Sequence, residues 1–102
     1  MDRIAMLTEI LVANPADSFA RYGLAMEYSK SGQTEPALQE FKTLIEKNPD
    51  YTPAYFMAAQ TLANASRVDE ARCWLVDGVS SARRTGNTHA QSEMTALLEE
   101  LG

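Results

Sequence analysis

Large apolar residues recur along this chain at intervals of three and four residues, the spacing of one face of an α-helix. The clearest stripe and its later counterpart comprise Ile4, Leu7, Ile10 and Leu11, then Leu38, Phe41, Leu44 and Ile45. No stretch of useful length alternates β-branched and polar residues, so strands are not expected. The pattern therefore predicts an all-α protein.

Proline, glycine and asparagine interrupt this spacing at intervals that suit the ends of helices. The segments between them predict six helices, at about 2–13, 18–31, 35–47, 52–64, 68–84 and 88–101. Four residues at the starts of these segments are predicted N-caps: Ser18, Thr34, Thr52 and Thr88. Pro53, directly after Thr52, suits a first helical position because its missing N–H would have no helical partner there.

The arrangement of the helices repeats every 34 residues. Asn14-Pro15 recurs as Asn48-Pro49, and the same shift superposes the two apolar stripes. A further shift of 34 residues matches small residues with small ones and large apolar or aromatic residues with large ones. The matched pairs are Ala25 with Ala59, Ala37 with Ala71, Tyr22 with Phe56, Tyr28 with Leu62 and Phe41 with Leu75. A helix pair cannot bury its apolar face alone, so such a period indicates pairs stacked into a continuous core.

These residues resemble the tetratricopeptide repeat (TPR) family, whose pattern is W-x2-L-G-x2-Y, then A-x3-F, then P. The first unit reads Arg21-x2-Leu24-Ala25-x2-Tyr28, Ala37-x3-Phe41, Pro49, and the second reads Tyr55-x2-Ala58-Ala59-x2-Leu62, Ala71-x3-Leu75. The departures are Arg21, where a large apolar residue is usual, and Arg83, which stands at the proline position. The resemblance implies a right-handed superhelical array of antiparallel helix hairpins, with about six helices.

The resemblance divides residues 1–102 as one domain into a half-repeat helix, two full repeats and a capping helix: 1–14, 18–51, 52–85 and 88–101. Arg3 stands where the full units carry Ala37 and Ala71, so the first helix is expected to lack a hairpin partner. The last helix has an amphipathic pattern without the family motif. It is predicted to cover the final hairpin, as repeat arrays generally require, and a detachable, partner-like helix is the alternative.

Composition fits one globular domain, with 102 residues of which 45% are apolar and 23% charged. The net charge of −5 comes without a basic block, so no nucleic-acid partner is expected. No apolar run approaches the roughly 20 residues that span a bilayer, and no secretory signal is visible at Met1-Asp2-Arg3-Ile4. We therefore expect a cytoplasmic protein with no membrane association.

Catalytic chemistry has little support in the sequence. A nucleophile–base pair would have to combine Cys73 with His89, since the chain has one cysteine and one histidine. Cys73 is predicted to be a partly buried small apolar residue, and His89 a neutral surface imidazole. Adjacent acids such as Asp69-Glu70 point in different directions around a helix, so no metal site is expected. The sequence predicts a protein without cofactor or enzymatic activity.

The resemblance implies a concave face, lined by the first helix of each hairpin, on which partner segments lie. The positions carried over to it are Phe19, Tyr22, Met26, Ser29, Lys30, Phe56, Gln60, Ala63 and Asn64. Helical spacing independently places Phe19, Tyr22 and Met26 on one face. This stripe is predicted to form a binding groove, and the alternative is that the last helix folds back and covers it.

One kind of TPR ligand is disfavoured. TPR domains that bind the acidic tails of heat-shock chaperones use a clamp of lysine, asparagine and further basic residues, but the matching places here hold Tyr22, Met26 and Met57. Burying a carboxylate tail without cations is unfavourable, so an apolar or mixed segment is the expected ligand.

The sequence thus predicts a non-catalytic adaptor or scaffold that binds a protein or peptide partner in the concave groove. The alternative is a self-association module that forms homo-oligomers, such as a homodimer, through the first helix or the capping helix. In that reading the uncovered part of the stripe formed by Ile4, Leu7, Ile10 and Leu11, with Met6 beside it, meets the same surface of another chain.

Overall fold

The computed structural model describes residues 2–102 and confirms the all-α prediction, with six helices and no strand in that range. The helices are α1 (Arg3–Ala13), α2 (Ser18–Lys30), α3 (Thr34–Lys47), α4 (Thr52–Asn64), α5 (Val68–Thr85) and α6 (Thr88–Leu101). Every boundary lies within one residue of its predicted position. Short loops join the helices, so consecutive helices run antiparallel and pack as neighbours.

The predicted N-caps are wrong by one residue. The Asp17 side chain accepts a hydrogen bond from the Ala20 N–H (2.9 Å), and Asn87 likewise caps α6 through the Ala90 N–H (3.0 Å). The predicted caps are instead the first residues inside their helices: Ser18, Thr34, Thr52 and Thr88. One of these hydroxyls has an interhelical role, since Thr52 shares a buried 2.9 Å hydrogen bond with Ser81 of α5.

Small residues bring the two helices of each hairpin close together. Ala25 of α2 and Ala37 of α3 have no exposed surface, and neither do Ala59 of α4 and Ala71 of α5. Between successive hairpins lie large side chains that are fully buried, namely Phe41, Leu44, Leu62, Leu75 and Met94. The core is therefore a row of interhelical layers rather than a single centre.

Gly78 of α5 determines how closely α6 can pack at the end of this row. A Cβ atom at Gly78 would lie 2.4 Å from the Met94 sulfur and 2.7 Å from the Tyr55 Cβ. One repeat earlier the same position holds Leu44. The missing side chain at Gly78 thus leaves the space that the Met94 side chain of α6 occupies.

The departure from the TPR pattern at Arg21 has a structural explanation. Arg21 pairs with Glu40 at 2.7 Å and donates a 3.1 Å hydrogen bond to the Pro15 carbonyl. One repeat later, the positions equivalent to Arg21, Glu40 and Pro15 hold Tyr55, Trp74 and Pro49. The Tyr55 hydroxyl donates to the Pro49 carbonyl (2.7 Å), and the Tyr55 and Trp74 rings pack edge to face at 6.1 Å. A half-buried ion pair and an aromatic pair therefore fill equivalent sites.

This equivalence predicts the outcome of exchanging one pair for the other. Arg21→Tyr alone leaves the half-buried Glu40 carboxylate unpaired, and we expect a loss of about 1–3 kcal/mol in the free energy of unfolding. Adding Glu40→Trp recreates the aromatic pair and should restore at least half of that loss. Chemical denaturation of both single variants and the double variant measures the coupling. Equal losses in Arg21→Tyr and the double variant would show that the two sites are not equivalent.

Candidate functional site

A recess of about 190 Å³ opens where α2, α4 and α6 meet. Its lining is mainly apolar and comprises Tyr22, Thr52, Pro53, Phe56, Met57, Asn87, His89, Ala90, Glu93 and Met94. Pro53 lies in the first turn of α4, and Phe56 and Met57 lie on the following turn. The tight packing of Met94 against α5 holds α6 as the opposite side of the recess. The cavity has room for one large apolar side chain.

Tyr22 packs against two other aromatic rings on the α2 side of this recess. Its ring packs edge to face on the buried Phe41 ring (centroids 6.3 Å apart) and against the Tyr51 ring (5.4 Å). Burial raises the pKa of the Tyr22 phenol above its ordinary value of 10.0, and the neighbouring Tyr51 raises it further. The phenol is consequently neutral at physiological pH and available as a hydrogen-bond donor to a ligand.

Polar side chains of α6 form the rim. His89 is highly exposed, as predicted for a surface imidazole, and its Nε2 lies 3.3 Å from the Glu93 carboxylate one turn later. Both residues nevertheless border the recess. The rim can therefore offer a nitrogen and a carboxylate to polar atoms that flank an apolar anchor.

A second recess, of about 250 Å³, lies at the other ends of α2 and α4 and is more polar. It is lined by Ser29, Gly32, Thr34, Thr61, Asn64 and Ala65. The Thr61 hydroxyl donates to the Met57 carbonyl at 2.8 Å, so in the 2.8 Å contact between Ser29 and Thr61 the Ser29 hydroxyl is the donor. Ser29 then presents acceptor lone pairs to the recess.

The residues predicted for the concave face are distributed over both recesses and beyond them. Tyr22 and Phe56 line the first recess, and Ser29 and Asn64 line the second. Met26, Gln60 and Ala63 are half-buried and line neither one. Phe19 (79% exposed) and Lys30 also lie outside both, and the Lys30 ammonium is 3.7 Å from the Glu27 carboxylate.

Sequence reasoning missed most of the first recess. From α4 the predicted groove omitted Thr52, Pro53 and Met57, although Pro53 lies one turn before Phe56 and Met57 directly follows it. From α6 it omitted His89, Ala90, Glu93 and Met94. The signal for the α4 residues was present in the spacing. The α6 residues gave none, because their position depends on how closely α6 packs at Gly78.

Cys73 differs from its prediction. It is exposed, whereas the sequence predicted partial burial, because the neighbouring Trp74 and Leu75 turn toward the core and leave Cys73 on the outer side of α5. No three or more His, Cys, Asp or Glu residues within 2–102 cluster so that they could hold a metal ion. In the same range, no helix is both long enough and apolar enough to cross a membrane.

Comparison with known proteins identifies the family. No family model matches the sequence. The chain is 31% identical to a tetratricopeptide repeat domain protein from Salinibacter ruber, whose solution structure superposes with a TM-score of 0.79 over 86% of this chain and 89% of that one. A TPR repeat-containing protein of Pseudomonas aeruginosa is 25% identical over 95 residues, which are 93% of this chain and 90% of that protein. The chain belongs to the tetratricopeptide repeat family, as the resemblance indicated.

A more distant structure shares the fold. PcrH, solved in complex with the chaperone binding region of PopD, superposes with a TM-score of 0.88 over 96% of this chain and 74% of PcrH, at 17% identity. Members of the TPR family are in general non-catalytic modules for protein interaction.

Proposed function

We propose that this protein is a non-catalytic adaptor that binds a segment of a partner protein on the concave face formed by α2, α4 and α6. The observation that carries the proposal is the apolar recess beside Tyr22 and Phe56, with His89 and Glu93 at its rim. Recognition sites commonly combine an apolar pocket with a few placed polar groups. A partner segment would insert one large apolar side chain here.

The chemistry of the recess supports an apolar anchor over a charged one. Aromatic rings and methionines dominate its lining, and methionine adapts its shape to different apolar groups. The neutral phenol of Tyr22 and the carboxylate of Glu93 offer no cation to an acidic tail. Buried anchors of this type carry most of the binding energy in protein interfaces.

The second recess supports a mixed ligand. It lies at the opposite ends of α2 and α4 and presents hydroxyl and amide groups, including Ser29 and Asn64. A segment that runs along these two helices would therefore place an apolar residue at one end and polar groups at the other. The complex of PcrH with a region of PopD supports a protein segment as the ligand class for this fold.

A double variant, Pro53→Glu with His89→Glu, tests the proposal. Both residues are exposed and lie in the first turns of α4 and α6, where helix dipoles favour carboxylates, so stability should hardly change. The two new carboxylates lie beside Glu93, and insertion of an apolar side chain among three charged groups is unfavourable. We expect peptides selected from a random display library on the wild type to bind the variant at least about tenfold more weakly.

The matched control is Val76→Glu with Ser80→Glu, which changes the net charge equally at two exposed positions of α5. It should bind the selected peptides like the wild type, and backbone amide shifts on peptide addition should centre on Tyr22, Phe56 and Ala90. Equal binding by the recess variant, or shifts centred on another surface, would refute the proposal.

A further inference from the structure

Four of the five exposed large apolar residues among those that the structure describes belong to the α1–α2 hairpin: Met6, Ile10, Val12 and Phe19. The pairing of the two helices places three of these side chains, Met6, Ile10 and Phe19, on the surface along the α1–α2 junction, which we name the cleft. Leu7 of α1 lies 3.5 Å from a Cβ at Gly23 of α2. Ile10 is nearly one turn after Leu7, and Phe19 is one turn before Gly23 on the antiparallel helix, so the two come level.

The repeat shows what normally covers this side of α1. One and two repeats later, Met6 and Ile10 correspond to Glu40 and Leu44 of α3, then to Trp74 and Gly78 of α5. Glu40 contacts Arg21 of α2, and Trp74 contacts Tyr55 of α4. We call the face of α3 that packs on α2, and the face of α5 that packs on α4, the hairpin face. The exposed side of α1 is the equivalent face of that helix. Within residues 2–102 no helix covers the hairpin face of α1.

At the other end of the array, α6 also has a hairpin face that no element within residues 2–102 covers. α6 follows α5 as α4 follows α3, and alignment of their first residues, Thr52 and Thr88, places Tyr55 on Gln91 and Ala59 on Thr95. Thr88, Gln91 and Thr95 belong to a shallow, open depression along α6, which is also lined by Ser92, Ala96 and Glu99. Most of its side chains are small, so a facing helix can approach closely.

We propose that a second copy of this chain fills the cleft, with its α6 packed on the hairpin face of α1 as α2 packs on α3 and α4 on α5. Met6 and Ile10 insert into the depression on the incoming α6, where Gln91 faces Met6 as Tyr55 faces Trp74. The interface is head to tail. It uses a side of α6 distinct from His89 and Glu93, so the recess of each copy stays open.

Charge complementarity favours this occupant. Glu27 of α2 lies near two cations, with Arg3 at 3.3 Å and Lys30 at 3.7 Å, and the Arg3 side chain is 70% exposed, so it is open to a second carboxylate. In the proposed packing Thr95 of the second copy faces Arg3, as Ala25 faces Ala37, and Glu99 follows Thr95 by one turn. The Glu99 carboxylate then reaches Arg3. A bridge of one arginine between two carboxylates already occurs within this chain, where Arg67 binds both Glu35 and Glu70.

A head-to-tail contact leaves one free cleft and one free α6 face on every assembly, so copies add without closing. We therefore expect the mean mass of the wild type, measured by light scattering after size exclusion, to rise past the dimer as protein concentration approaches millimolar. Ile10→Lys and Thr95→Arg should each remain monomeric. Val12→Lys, at a highly exposed position on another side of α1, should behave like the wild type.

Mixing the two blocked variants tests the polarity of the interface. Ile10→Lys keeps an intact α6 face and Thr95→Arg keeps an intact cleft, so an equimolar mixture should form dimers and nothing larger. Circular dichroism checks the fold, and Met6→Lys replaces Ile10→Lys if the latter unfolds. A wild type that stays monomeric, a Thr95→Arg variant that dimerises alone, or a mixture that stays monomeric would each overturn the proposal.

Discussion

Replacing Phe41 by alanine is expected to cost about 3–5 kcal/mol of the free energy of unfolding. The ring has no exposed surface, and it packs edge to face on Tyr22 in the layer between the two hairpins. Its loss leaves a cavity in a core only two helices wide. A domain of this size is typically stable by about 5–15 kcal/mol, so the melting temperature should fall by more than about 10 °C.

Two other substitutions make this result interpretable. Phe41→Leu introduces the residue that the next repeat carries at Leu75 and should cost less than about 1.5 kcal/mol. Phe19→Ala removes the same side chain from a position that is 79% exposed and should change stability by less than about 0.5 kcal/mol. Similar losses in Phe41→Ala and Phe19→Ala would contradict the layered core described above.

Gly78→Ala is expected to destabilise the protein by about 2 kcal/mol, although alanine is the better helix former. The new Cβ would lie 2.4 Å from the Met94 sulfur and 2.7 Å from the Tyr55 Cβ, so α5 must move away from α4 and α6. Overpacking of this severity costs up to about 3 kcal/mol. The higher helix propensity of alanine offsets about 1 kcal/mol of this cost.

The same substitution at Gly23 separates these two effects. There a Cβ would meet only Leu7, at an ordinary contact distance of 3.5 Å, so Gly23→Ala should stabilise the protein by up to about 1 kcal/mol. Thermal and chemical denaturation of both variants measure the difference. Because Met94 lines the recess, Gly78→Ala should also weaken peptide binding, whereas Gly23→Ala should not. If the two variants were equally stable, close packing at Gly78 would be excluded.

The helices and their boundaries were predictable because they depend on local signals. Apolar spacing, the two Asn-Pro turns and residues such as Gly86 lie within a few positions of the helix end that each one specifies. The family was predictable for the same reason, since Ala25 with Ala37 and Ala59 with Ala71 mark helix crossings at a fixed period. Only the caps were misplaced, because several polar residues compete for the start of each helix and the backbone conformation selects among them.

The candidate site was predictable in part. The α2 and α4 residues of the recess, Tyr22 and Phe56, follow from helical spacing and the family pattern. The contribution of α6 does not, because α5 has 18 residues where α3 has 14, and this extension shifts α6 out of the 34-residue frame. His89 therefore looked like an isolated surface residue in the sequence, whereas the fold places it at the rim of the recess.

By itself the sequence determined the helical class, the repeat period and which residues are small enough for close helix crossings. These properties follow from residue size and polarity at fixed spacings along one chain. Only the tertiary structure decided that Gly78 admits Met94 and that α6 completes the recess. Those features depend on distances between residues far apart in sequence, and a side chain missing at one position changes what its distant neighbours can contact.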